Sequence, residues 1–191
     1  MTRPNTREQI VKAGLRCLLE RGYNGVGVQD ITAAAGVPKG SFYNHFDSKE
    51  ALGAEIVERY GAGSTRREIL TDTSVAPLDR LRRHFERLNV IFTDAKFERG
   101  CILGNFSAEL SGQSDLIRAS LGDLYGRWTG DLENVIRDAQ KRGDVTNKTS
   151  AADIAAFLLD AYEGALLRAR VERTSRPFER FMQLAFGQIL T

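Results

Sequence analysis

Cysteine is scarce in this chain. With only Cys17 and Cys101 among 191 residues, a disulfide-stapled scaffold is excluded. Neither thiol lies at zinc-ligand spacing from another cysteine or a histidine, so no metal is expected. Histidine is as rare: His45 and His84 stand isolated. No G-x-S-x-G elbow, Walker loop or dinucleotide glycine fingerprint occurs, so neither an enzyme nor a cofactor is expected. No run approaches eighteen apolar residues, which argues against a membrane span. The polar start, MTRPNTREQ, lacks an apolar signal segment, and a cytoplasmic location is expected. Charge of one sign is also lacking. The net charge of +2 is far from that of a protein that coats nucleic acid indiscriminately.

What is present is apolar patterning. Hydrophobic residues make up 42% of the chain, enough for one or two compact cores. Their spacing is helical throughout, and no segment alternates with period two, which predicts an all-α fold. A first helix is expected over 6–21, with Thr6 and Gln9 at capping-box spacing and Gly22 as its stop. A helix begun after Ser48 can run to about Leu70, although Gly61, Gly63 and Ser64 weaken it. Pro77 can open another, followed by a glycine-bearing break at ERGCILGN (98–105) and a short helix from Phe106 to Leu110. Long helices are expected over 115–142, with Leu116 among its inward residues, and from Ser150 to about Arg173. Pro177 opens the last.

The most informative stretch is VQDITAAAGVPKGSFYNHFDSKEAL (28–52). Val28 to Ala35 is a short alanine-rich helix, closed by Gly36, which can adopt the left-handed conformation. Pro38 suits the first turn of a following helix, expected to reach Phe46. Phe42 and Phe46, four apart, share a face and dock it. Lys39, Ser41, Tyr43, Asn44 and His45 are left outward, with chemistry suited to phosphate oxygens and base edges. Gly40 would let the backbone approach a phosphate closely. This is the build of a helix-turn-helix reading the major groove of double-stranded DNA, the alternative being a polar solvated hairpin. From Met1 to Leu52 the mild basic excess fits a few phosphate contacts, with Arg3 and Arg7 either joining them or belonging to a solvated tail.

The segment AGVPKGSFYNHFDSKEAL resembles the DNA-binding domain of the tetracycline-repressor-like (TetR) family. The resemblance implies an N-terminal three-helix DNA-binding domain (1–52) and a C-terminal helical effector-binding and dimerisation domain (53–191). It implies a homodimeric transcriptional regulator, usually a repressor, that leaves a near-palindromic operator when a small molecule binds. By the same resemblance Lys39, Tyr43, His45 and Lys49 match positions that touch DNA, as do Ser41 and Asn44 less directly. The last two helices carry apolar residues on more than one face, which a second subunit can cover.

An effector pocket between helices would draw on His84, Phe106, Tyr125 and Trp128, with Phe85, Leu88 and Phe157 more plainly core. Cys101 sits at the glycine-flanked break beside Arg99, where a cation or helix-start amides would favour thiolate. GCILGNFSAEL resembles the region around the sensing cysteine of the N-ethylmaleimide-responsive repressors of the family, which implies an electrophile as effector. The alternative is a small buried residue at a helix junction. For the protein as a whole, the competing function is an architectural or partner-binding helical DNA-binding protein without any effector.

Overall fold

The computed structural model describes residues 5–62 and 65–191, with side chains described outside 62–67. The described residues are all-helical: α1 (Thr6–Arg21), α2 (Val28–Ala35), α3 (Gly40–Tyr43), α4 (Lys49–Ala62), α5 (Thr65–Thr71), α6 (Pro77–Asp94), α7 (Ile102–Leu110), α8 (Asp115–Arg142), α9 (Ala151–Glu172) and α10 (Arg176–Leu184), which runs into a π-turn over Ala185–Ile189. The chain divides into two compact units, Met1–Ala62 with Cys101–Leu124, and Gly63–Gly100 with Tyr125–Thr191. Helix α8 belongs to the first through Leu124 and to the second from Tyr125 onward.

In the first unit, Ile10, Leu18, Ile31, Phe42, Leu52, Ile56, Phe106 and Ile117 are fully or almost fully buried. Gly53 of α4 is part of this core. A Cβ there would press on Ile117 and Tyr23, so glycine lets these groups close in. Helix α1 starts not with a capping box at Thr6 but one residue earlier: Asn5 is the N-cap, and its side chain accepts from the Arg7 N–H at 3.1 Å. Ser48 caps α4 as its sequence position suggests, its Oγ accepting from Ala51 N–H at 3.0 Å. The stretch expected to be helical to Leu70 is helical over α4 and α5, and Gly63 and Ser64, on which its continuity turns, lie outside the described residues.

In the second unit an aromatic cluster, Phe85, Tyr162, Phe178 and Phe181, fills the centre with ring centroids 4.8–5.6 Å apart. The Tyr162 hydroxyl meets Asn89 Oδ1 at 2.9 Å, so its polar end is satisfied inside the core. Buried Arg80 donates to the Leu70 carbonyl at 3.0 Å and faces Asp138 at 3.6 Å. Two expectations fail. Helix α7 begins at Ile102, inside the segment read as a break, because the apolar side chains of Ile102 and Leu103 are drawn into the core. Leu116 and Phe157, read as inward, are 51% and 54% exposed. The apolar spacing was right for a helix, but the face it marks is not covered within the chain.

Candidate DNA interface and effector residues

The α2–α3 corner is built as its residues demand. Gly36 takes φ 69°, ψ 30°, and Val37 N–H reaches back to the Thr32 carbonyl at 3.0 Å, closing α2 tightly. Helix α3 is shorter than expected, four residues with single turns on either side. Its neighbours are tied by 3₁₀-type bonds, Ser41 N–H to Pro38 O at 2.9 Å and His45 N–H to Phe42 O at 3.0 Å. So short a helix is held by its anchors rather than by its own ladder. Phe42 is completely buried and Phe46 nearly so, their rings 5.5 Å apart, with the Arg7 guanidinium 5.0 Å from the Phe46 ring centre.

These anchors leave one edge outward. Lys39, Gly40, Asn44 and His45 are exposed, Tyr43 is 56% exposed and Ser41 half-buried. Lys49 lies apart from this edge in its bonding. Its ammonium donates to the carbonyls of Tyr23 at 2.9 Å and Val26 at 2.8 Å, and sits 3.8 Å from the Tyr23 ring centre. Burial lowers its pKa, opposed by the negative charges of Glu109 and Asp30. Two of its three N–H groups are therefore engaged within the protein. Arg7 is likewise occupied, forming a bidentate pair with Glu55 at 2.8 and 2.5 Å. Arg3 lies outside the described residues.

Of the effector candidates, the structure joins two. His84 of α6 is buried, and its Nε2 accepts the Trp128 indole N–H of α8 at 3.0 Å. The indole can only donate, so His84 presents a lone pair there and is the tautomer protonated at Nδ1. Tyr125, one turn before Trp128 on α8, is half-buried. Phe106 is fully buried in the first unit, edge-on to Tyr23 at 5.6 Å. Cys101 is buried as the N-cap residue of α7, and the Tyr60 hydroxyl lies 3.6 Å from its Sγ. Both cysteines are free thiols. Among the described residues no cluster of histidine, cysteine and carboxylate side chains could hold a metal ion, and no helix is long and apolar enough to cross a membrane.

The connection from α1 to α2 carries groups that the sequence did not single out. Glu109 of α7 accepts from the Tyr23 N–H at 3.0 Å and the Asn24 N–H at 2.7 Å, and Asp30 accepts from the Gly27 N–H at 2.7 Å. Asp30, three residues from Gly27, could have been read as a local cap. Glu109 lies more than eighty positions from its partners, and nothing local marks it.

Comparison with known proteins decides the class. Residues 10–56 match the family model described as bacterial regulatory proteins, tetR family, and residues 77–185 match the tetracyclin repressor-like C-terminal domain. The chain belongs to the TetR family. It is 38% identical over 192 residues to the HTH-type transcriptional repressor DhaR of Mycobacterium sp. (strain GP1), covering all of this chain and 95% of that one. Among solved structures, the regulatory protein TetR from Rhodobacter sphaeroides superposes with a TM-score of 0.89 at 33% identity, covering 96% of this chain and 98% of the other. Escherichia coli NemR in its reduced form gives 0.84 at 27% identity, covering 95% of both. This TetR-family chain is thus a helix-turn-helix DNA-binding transcriptional regulator, and the proteins it resembles are regulators rather than enzymes.

Proposed function

We propose that this regulator is a repressor that binds a near-palindromic operator as a homodimer and leaves it when a small molecule binds the C-terminal part. In this reading residues 1–52 form the DNA-binding domain, 53–191 the effector-binding and dimerisation domain, and the protein works in the cytoplasm, where its DNA lies. The observation that carries it is the outward edge of α3, with polar Lys39, Ser41, Asn44 and His45 and the Tyr43 hydroxyl presented by two buried phenylalanines. Amide, hydroxyl and imidazole groups suit base edges and phosphates, and the ammonium of Lys39 suits phosphate. Gly40 lets the backbone approach. A phosphate contact by Lys49 would fall to the one N–H that the two carbonyls do not take.

A dimer supplies two such edges, and half-sites recur at about 34–36 Å or multiples of it. A change in the separation of the two edges then breaks the fit, which an effector can drive only by binding one state more tightly, typically by about 1–3 kcal/mol. His84 and Trp128, already paired, with Tyr125 one turn away, are the polar groups offered to that effector; Phe106, buried in the first unit against Tyr23, is a separate candidate.

Cys101 supports a second form of effector. Its thiol lies beside the Tyr60 hydroxyl at the start of α7, so an adduct would alter the junction where α7 begins. The thiol proton would pass to water, and the thiolate sulfur would add to the β-carbon of an electron-poor alkene, its C=C π bond breaking as the α-carbon takes a proton from water.

Selection from a pool of random duplexes with the full chain, followed by footprinting, tests the main reading. A near-palindrome protected on one face at helical-turn spacing is expected; retention of no duplex would overturn it. C101S tests the second form: release by an electrophile should disappear, and unchanged release removes Cys101 from the mechanism.

A further inference from the structure

We propose that Glu109 is a positioning residue for operator binding: from α7 it grips the α1–α2 connection and holds the helix-turn-helix at its working angle. The proposal rests on the DNA-reading role of α3 and names what sets the posture of that helix. The connection is five residues, Gly22 to Val26, followed by Gly27, the N-cap residue of α2. Its backbone groups are held by charged side chains from three helices. The Glu109 carboxylate of α7 takes the N–H groups of Tyr23 and Asn24. The Lys49 ammonium of α4 takes the carbonyls of Tyr23 and Val26. The Asp30 carboxylate of α2 takes the Gly27 N–H. The peptide groups flanking Tyr23 are thus drawn to an anion at the N–H and a cation at the carbonyl, and each charge lowers the energy of the other.

Gly22 makes the grip possible. Its φ of 73° and ψ of 177° lie in a region essentially confined to glycine, and a Cβ there would collide with Glu109 Oε1. The Tyr23 ring then meets Phe106, one turn before Glu109 on the same helix. Helix α7 therefore holds the connection by a ring contact and a carboxylate, and any displacement of α7 drags the start of α2, with α3 behind it. The carboxylate touches no part of the outward edge, so its loss should change the posture of that edge without removing a phosphate contact.

Glu109→Ala and Glu109→Gln in the full chain test this against a duplex selected by the wild type. Amide exchange should accelerate at Tyr23 and Asn24 in both variants while Ile56 stays protected. Operator affinity should fall about tenfold in Glu109→Ala, from the loss of two charge-assisted bonds. It should fall less in Glu109→Gln, whose remaining carbonyl oxygen still accepts one bond. The slope of affinity against salt should stay at the wild-type value. Wild-type affinity in Glu109→Ala overturns the proposal, as does a loss shared equally by all amides of the first unit, which would make Glu109 a general stabiliser only. A wild-type chain that retains no duplex overturns the DNA-reading role itself, a different outcome from a wild type that binds and a variant that binds as well.

Discussion

At position 40 neither the backbone nor the packing demands glycine. Its φ is not positive, and a Cβ placed there would meet no atom within 4 Å. Alanine should therefore stabilise the fold slightly, by about 0.5–1 kcal/mol through a smaller unfolded-state entropy. If the backbone of Gly40 lies against a phosphate, the same methyl group should weaken operator binding. Gly40→Ala is expected to raise the melting temperature and lower affinity together; unchanged affinity would place the phosphate elsewhere. Lys49 has a structural role and is proposed for a second, at the DNA. Lys49→Met should leave the Tyr23 and Val26 carbonyls short of a donor and cost about 1–3 kcal/mol in thermal unfolding. Should the third N–H meet DNA, the salt slope also drops by about 0.9. The outward residues of α3 were legible in the sequence because burial of Phe42 and Phe46 decides them locally. The bonding of Lys49 and of Glu109 was not, since their partners are backbone groups of a distant loop, and a backbone carbonyl has no residue-type signature.

Among the elements, α1, α2, α6 and α8 follow from apolar spacing together with glycine and proline punctuation at their ends. The misread ends have a common cause. A helix whose ends sit in a core needs no polar start signal, so α7 begins at Ile102 with cysteine as its N-cap residue and no capping hydrogen bond from its side chain. Conversely α3 keeps only four residues because its anchors, not its ladder, hold it. Charge at α2 gives a pH dependence. Asp30 has its pKa lowered below 3.8, first by the Gly27 N–H and then by Arg21. A carboxyl whose folded pKa lies below its unfolded one contributes stability above the unfolded value, and that contribution disappears as pH falls through the folded value. Melting temperature should thus drop as pH is lowered past 3.8. Asp30→Asn keeps an acceptor for Gly27 but does not titrate, so its decline should be shallower; parallel curves would remove Asp30 from the acid response.

At the scale of the molecule, the uncovered apolar face of the last helices is the main departure from a self-contained chain. Phe157, Leu167 and Leu184 are half exposed and Val171 more so, while Phe157, Ala161, Ala165, Phe181 and Leu184 line a groove of about 370 Å³ on α9 and α10. Gly164 lies on the same wall, where a Cβ would meet nothing, so the helix surface is low and another helix can approach closely. The sequence showed that these helices are apolar on more than one face but could not separate burial within the chain from burial by a second copy; the chain itself leaves Phe157 half exposed. Burying a side chain of this kind stabilises by about 1.5–3 kcal/mol, and in a symmetric dimer each residue contributes twice. Phe157→Glu combined with Leu184→Glu should therefore shift the chain to monomer in sedimentation at micromolar concentration. Both positions are exposed in the single chain, so each monomer should keep its helical content. A monomer holds only one reading edge, so operator affinity should collapse toward that of a half-site. A double variant that stays dimeric, or a monomer that binds the full operator as the wild type does, would show that α9 and α10 do not join the two copies.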